Sequence, residues 1–340
     1  MTRLRKRSEE IREYILGVVE KNPKSAVTLA MQRFNISRQA VHQHINHLIK
    51  QGVLVRIRSG YYELSPLEEW SSTINISENI YEDVLWRKEI AARIGDLPDN
   101  AMEVWYYGFT EMYNNVVDHS GSATALISIK KTAYTTEMML LDHGVGIFYK
   151  IQKALNLLDE RHAVLELTKG KLTTDPTSHS GEGIFFTSRM FDTFEILSGD
   201  VFLSHKYGDD EDWILENRSH SSGTCVFMKL KNNTSRTKSE IFNKFTSGED
   251  INFSKTIVPV RLAQYGDEKL ISRSQAKRLL ERVDRFKTVL LDFTKVISIG
   301  QAFADEVFRV FVNQHPQIEI IPINTNDDVS GMINRIRQAD

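Results

Sequence analysis

Glu111 and Asn115 stand four residues apart in the run 109–120, Phe-Thr-Glu-Met-Tyr-Asn-Asn-Val-Val-Asp-His-Ser. The stretch from about 78 to 120 is helical in character. At 3.6 residues per turn Glu111 and Asn115 share one face, with His119 a further turn along, so a base and a metal-binding amide can point into one cavity. Such a pair occurs on many amphipathic helices, and the motifs downstream give it meaning. Residues 125–130 alternate as a strand, and 137–141 form another that ends in Asp142-His143-Gly144-Val145-Gly146-Ile147. An aspartate at a strand end can accept from the amino group of a base, and glycines directly after it let a ligand pass close to the backbone. Further on, Ser180-Gly181-Glu182-Gly183-Ile184 opens a helix that runs through Phe191. A glycine-rich entry to a helix suits phosphate, because exposed N–H groups and the positive dipole end meet the anion. Ser222-Gly223-Thr224-Cys225-Val226-Phe227-Met228 reads as a closing strand with a hydroxyl at its start.

In order, Glu-x-x-x-Asn, Asp-x-Gly-x-Gly, Gly-x-Gly and Gly-Thr resemble the GHKL ATPase superfamily of gyrase, heat-shock chaperone, histidine kinase and mismatch-repair proteins. The resemblance covers about residues 75–232, and the run from Ser180-Gly181-x-Gly183 to Met190-Phe191-Asp192-x-x-Glu195-Ile196 looks most like the anti-sigma-factor serine kinase branch. It implies the Bergerat ATP-binding fold, an α/β sandwich, with ATP and Mg²⁺ as cofactors. Carried over by position, Asn115 ligates Mg²⁺ and Glu111 acts as general base toward water or an acceptor hydroxyl. Asp142 reads the adenine amino group, Gly144 and Gly146 shape the base pocket, Gly181 and Gly183 contact phosphates, and Thr224 lies near adenine through water. The plainer alternative, packing and turn residues of an α/β sandwich, explains each glycine singly but not why both charged positions precede glycine motifs in that order.

One departure from the family is length. Residues 147–180 separate Gly146 from Gly181 and include Lys169-Gly170-Lys171 and the polar run 173–180, suited to a mobile lid over the nucleotide. Lys169, Lys171 and His179 are candidate phosphate contacts there, with a solvated loop as the alternative. No phosphoacceptor helix directly precedes the segment, which argues against a two-component histidine kinase. The remaining length has no room for a topoisomerase's transducer and cleavage machinery.

Composition sets the frame for these motifs. A chain of 340 residues predicts two to three domains, and 41% hydrophobic and 26% charged residues with 18 Gly and 7 Pro describe a folded, non-repetitive chain. No stretch approaches the roughly 18 uninterrupted apolar residues of a membrane helix. The basic start, 1–7, runs into Ser8-Glu9-Glu10 rather than an apolar core, so neither membrane association nor Sec export is expected. Cys225, the single cysteine, has no partner for a disulfide or a zinc site, and a reducing cytoplasm is the expected location.

Net charge is −2, yet residues 1–64 hold twelve Lys/Arg against five acids, +7, which leaves −9 on the other 276. That asymmetry suits a nucleic-acid-binding end on a non-binding body, or a merely solubilising tail. Ile11, Ile15 and Val18/Val19 mark a helix over 8–20 that stops at Asn22-Pro23, and Val27, Leu29, Ala30 and Phe34 mark a second. After the turn Asn35-Ile36-Ser37, a third helix over 37–50 turns Ala40, Val41, Ile45 and Leu48 inward and leaves Arg38, Gln39, His42, Gln43, Asn46 and His47 outward. Residues 53–64 read as a hairpin turning at Ser59-Gly60 with Arg56 and Arg58 near its tip.

Together these elements resemble the winged helix-turn-helix family. The resemblance implies double-stranded DNA as partner, with Arg38, Gln39, His42, Gln43 and Asn46 in the major groove and Arg56 and Arg58 near phosphates or the minor groove. Winged helices also serve in protein docking and dimerisation, so a homodimer stays open. His42, His44 and His47 read as polar surface, since no carboxylate or cysteine accompanies them at ligand spacing.

Past a polar boundary at 231–252, strands are expected at 257–262, 288–292 and 318–323, and helices at 273–284, 301–314 and 327–338. Val289-Leu290-Leu291-Asp292-Phe293-Thr294, followed by Ser298-Ile299-Gly300-Gln301-Ala302-Phe303-Ala304-Asp305-Glu306, resembles the STAS fold of anti-sigma-factor antagonists, which implies a protein partner. Where that family carries its acceptor serine this chain has Gln301-Ala302, which leaves Ser298 and Thr294 as substitutes, or Ser298 as a helix cap. The expectation is a multidomain α/β protein: winged helix at 1–68, GHKL sandwich at 75–232, STAS-like domain at 253–340. Its function would be that of a DNA-binding regulator switched by ATP, or of a serine/threonine kinase acting on its own STAS-like domain or a partner.

Overall fold

The computed structural model describes residues 3–76, 81–172, 181–208, 212–247, 250–264 and 268–338, as a mixed α/β multidomain protein with several sheets. The chain opens with α1 (Arg3–Lys21), α2 (Ala26–Phe34) and α3 (Arg38–Lys50). Asn35 ends α2 by taking the left-handed conformation (φ 50°), which asparagine tolerates better than most side chains. The Ser37 hydroxyl then caps α3 by accepting from the Ala40 N–H at 3.2 Å. Val41, Ile45 and Leu48 of α3 are buried against Ile11, Ile15 and Val19 of α1, while Ala40 is only half-buried. β1 (Leu54–Arg58) and β2 (Tyr61–Leu64) form an antiparallel hairpin that turns at Gly60, φ +72°.

A five-stranded antiparallel sheet comes next, in the order β3 (Glu68–Asn75), β4 (Thr124–Lys131), β5 (Thr135–Asp142), β7 (Asp212–Lys231), β6 (Thr193–Lys206). β3 lies across the junction expected between the first two domains and forms an edge of this sheet. Between β3 and β4 run α4 (Glu82–Leu85) and α5 (Ala91–Ile94), joined by a π-helical turn, then α6 (Asp99–Asn115), which passes into a second π-helical turn at Val116–Ser120. Between β5 and β6 come α7 (Ile147–Leu155), α8 (Glu160–Lys169) and α9 (Gly183–Met190). Period-2 alternation buries Ile127, Ile129, Met138, Leu140, Phe194, Ile196 and Met228 in one core with Val104, Trp105 and Phe109 of α6 and Phe185, Phe186 and Met190 of α9. α6 comes this close because Gly108 has no side chain: a Cβ there would lie 2.5 Å from the Phe191 ring.

The region expected to be a polar boundary carries structure. α10 (Lys238–Phe245) starts at a capping box, Thr237 with Glu240, and lays Phe242 on Phe186 with ring centroids 4.0 Å apart. Two short strands, β8 (Thr246–Ser247) and β9 (Asp250–Phe253), pair after it. The last sheet is parallel, β10 (Lys255–Pro259), β11 (Thr288–Asp292), β12 (Glu319–Ile323), with the crossovers made by α11 (Arg273–Leu280) and by α12 (Gln301–Asp305) with α13 (Phe311–Gln314). α14 (Asp327–Arg337) closes the chain. These elements fall within a few residues of the expected ones. Among the described residues, no helix is long and apolar enough to cross a membrane.

Two sets of contacts join the parts. Tyr134, at the turn between β4 and β5, sits on Gly17 of α1, where a Cβ would meet its hydroxyl at 2.6 Å. Beside it, Lys229 pairs with Glu20 of α1 and with Glu137, and the Thr135 hydroxyl donates to Glu20. At the other junction α8 is buried at every position from 162 to 169, between α7, α9 and β6 on one side and β10 on the other. Lys169 donates to Glu166 at 2.6 Å and to the Glu281 carbonyl, just past α11, at 2.7 Å. A cation is well placed at that helix end. Arg282 reaches Glu166 at 3.3 Å and Glu281 at 3.1 Å, so each buried charge has a counter-charge.

Candidate functional site

A cleft opens between the end of α6, the start of α7 and the strands β6 and β7. Asn115, Asp142, Gly146 and Thr224, residues that span more than 100 positions, line it together. Met112, Ile184, Ile196 and Val226 supply apolar walls, and His119 and Lys150 complete the polar rim.

Asp142 ends β5 and is 2% exposed. Its Oδ1 accepts from the Gly144 N–H at 2.8 Å. Burial pushes this carboxyl above its ordinary range, while the N–H groups of Gly144 and Thr224 pull the other way. Thr224, alongside on β7, accepts from the Ile147 N–H at 3.1 Å and so ties the first turn of α7 to the sheet. A Cβ on Gly223 (φ +83°) would stand 2.0 Å from the Asp142 carbonyl oxygen, so the two strands meet here by bare backbone. Gly144 is likewise pressed on the Ser120 carbonyl, 2.0 Å from where its Cβ would be. Gly146 lines the cleft directly, and Gly144 abuts Ser120, which also lines it.

Glu111, one turn before Asn115, lies over the start of α9: a Cβ on Gly183 would fall 2.0 Å from its Oε2. The Tyr107 hydroxyl is hydrogen-bonded to Glu111. Burial, and then the charges of Glu111 and Glu182, hold the Tyr107 phenol well above its ordinary range, so it keeps its proton and donates. Burial also pushes Glu182 up, opposed by Lys171. Gly181 (φ +72°) rests on the backbone of Leu172, whose N–H donates to the Gly181 carbonyl at 3.1 Å.

Two of the candidate phosphate contacts point elsewhere. Lys169 is fully committed to the buried cluster beneath α11, and the Lys171 ammonium donates to the Arg285 carbonyl at 3.1 Å. His179 and Ser180 lie outside the described residues. Lys150, which the motifs did not single out, borders the cleft and donates to the His119 carbonyl at 2.9 Å. Its position four residues after Gly146, in the first turn of a helix, was a usable signal.

On the N-terminal unit, Arg38, Gln39, Gln43 and Asn46 are exposed on α3 and His42 is half-buried. Arg56 and Arg58 are exposed on the adjoining β1, with guanidinium groups 5.5 Å from the Tyr62 ring and 5.3 Å from the Tyr61 ring. His162, Glu166 and Glu281 sit close enough to hold a metal, but Lys169 and Arg282 already pair both carboxylates. In the C-terminal unit the Thr294 hydroxyl donates to Asp292 at 2.8 Å. Ser298 is not the cap of α12: Gly300 holds that position.

Residues 275–330 match the family described as a STAS-like domain of unknown function, DUF4325. No curated protein matches the chain.

Because Asp142 titrates higher when folded than unfolded, the native state binds more protons between those two values, and its stability falls as pH rises through that window. Asp142→Asn removes this cost. In thermal unfolding the variant is expected to melt no more than about 5 °C below the parent at pH 7 and to show a flatter acid-side pH profile. A much lower midpoint at neutral pH, with the profile unchanged, contradicts the assignment.

Proposed function

We propose that the chain is a DNA-binding regulator whose central domain, of the GHKL type, binds ATP with Mg²⁺ and whose nucleotide state alters its hold on DNA or on a protein partner. The observation that carries this reading is the convergence of Asn115, Asp142, Gly146 and Thr224 on one cleft, with Glu111 and Gly183 in contact beside it. The cleft combines apolar walls with a few polar groups, the make-up of small-molecule sites. A buried carboxylate at one end suits the amino group of adenine, and Gly146 forms part of the cleft wall. Asn115 would hold Mg²⁺, which when bound neutralises phosphate charge. Glu111, fixed by the Tyr107 hydroxyl, would accept a proton from water or an acceptor hydroxyl. The N-terminal helices and hairpin support the winged-helix reading through element order, through the exposed donors of α3 and through Arg56 and Arg58.

The kinase reading draws on the STAS-like match. Thr294 and Ser298 come after the carboxyl end of β11, whereas Lys169 and Lys171 meet the amino end, at Thr256 and Arg285. The five residues of β11 put about 13 Å between those ends. That placement favours an acceptor hydroxyl on a partner over one on the chain itself.

With γ-labelled ATP, the full chain should bind in a Mg²⁺-dependent way that Asn115→Ala weakens by about 10-fold or more. Label retained on protein would select the kinase reading and label released as phosphate the ATPase switch, whereas equal affinity in the variant would refute the site. Duplex DNA affinity should fall steeply with salt, in proportion to the phosphates neutralised, and should lose about one unit of log–log slope for each of Arg56 and Arg58 replaced by Ala. Binding that is undetectable, or insensitive to salt, would refute the DNA assignment.

A further inference from the structure

The strip 169–172, which leads toward Gly181, is gripped from outside the central sheet. Lys169 is fixed by Glu166 and by carbonyls at the end of α11, and its own carbonyl accepts from the buried Thr256 hydroxyl at 2.6 Å. Gly170 (φ +82°) passes between Phe253 and Phe185, where a Cβ would lie 2.6 Å from the Phe253 ring. Lys171 takes the left-handed conformation (φ 54°), a costly one for a lysine that persists only where its surroundings enforce it. Arg285 supplies that enforcement. Its guanidinium donates to the Lys171 carbonyl at 2.7 Å, the Lys171 ammonium returns a bond to the Arg285 carbonyl at 3.1 Å, and the lysine lies 5.0 Å from the Phe286 ring.

From this strip the contacts continue without a gap into the cleft. Leu172 donates to the Gly181 carbonyl, and a Cβ on Gly181 would stand 2.4 Å from the Leu172 carbonyl carbon. Two residues on, Gly183 carries the carboxylate of Glu111, and Ile184 lines the cleft wall. Because these links are backbone approaches or buried bonds, a shift of the strip has little slack to absorb it before it reaches 181–183.

The geometry points to Arg285 as a positioning residue for the nucleotide site: by holding Lys171 in its left-handed conformation, the C-terminal domain sets where 181–183 stand relative to Glu111. The inference rests on the ATP reading given above. It makes docking of the C-terminal domain and binding of the nucleotide's phosphates two ends of one equilibrium, so that whatever engages that domain also acts on the site.

The test uses the full chain and two ligands, Mg²⁺–ATP and adenosine, which has the base but no phosphate. Arg285 is exposed, so Arg285→Ala removes the grip without opening a core. The expected result is a loss of at least about fivefold in Mg²⁺–ATP affinity, with adenosine affinity held within about twofold and most of the loss recovered in Arg285→Lys, which keeps a donor. Unchanged ATP affinity in Arg285→Ala, or an equal loss for both ligands as from general loosening, would overturn the inference while leaving the nucleotide reading in place. Failure of the unaltered chain to bind either ligand would sink that reading, and this inference with it.

Discussion

Three places where backbone meets backbone or carboxylate, with no room for a Cβ, make the cleft: Gly144 on the Ser120 carbonyl, Gly223 on the Asp142 carbonyl and Gly183 under Glu111. The first docks the turn after β5 onto the end of α6. The second brings β7 against β5 where the ladder ends, so that Asp142 and Thr224 face one space. The third sets the first turn of α9 beside the α6 carboxylate. A side chain at any of these positions would force the elements apart, and interiors packed at crystal density absorb such shifts poorly. The polar groups of the cleft are gathered because the walls can touch.

Close approach also governs the junctions. The N-terminal helices rest on the sheet through Gly17 beneath Tyr134 and through Lys229 between two glutamates, a small contact beside their own apolar core. The C-terminal sheet is joined differently, through a helix buried from 162 to 169 whose Lys169 and Glu166 are met by two carbonyls and a guanidinium 109 to 116 residues downstream. Removing one member of such a cluster strands its partner in a low dielectric, which costs more than the pair contributes when intact. A weak joint to the N-terminal helices and hairpin is thereby set against a stiff one to the STAS-like domain.

Several residues that line the cleft were legible in the sequence because they are constrained one by one. Asp142, Gly146 and Thr224 occupy positions where a strand end or a turn leaves few alternatives, and glycine-rich punctuation marks such positions. The strands of the C-terminal sheet were legible for a related reason, though their parallel pairing was not: buried strands such as Val289-Leu290-Leu291 are continuous apolar runs between helical patterns. Context was the part that stayed hidden. β3 buries little besides Ile74, so an edge strand passed as a junction. α10 was missed inside a polar stretch although Thr237 and Glu240 spell a capping box. Lys169 read as a loop cation because its partners at Glu281 and Arg278 are distant in sequence.

Hydrogen–deuterium exchange of the full chain, with and without Mg²⁺–ATP, tests the central claim most directly. The account predicts added protection at 142–151, 181–186 and 224–226, the segments that border the cleft. Exchange unchanged in those three segments, or protection confined to other parts of the chain, would contradict it.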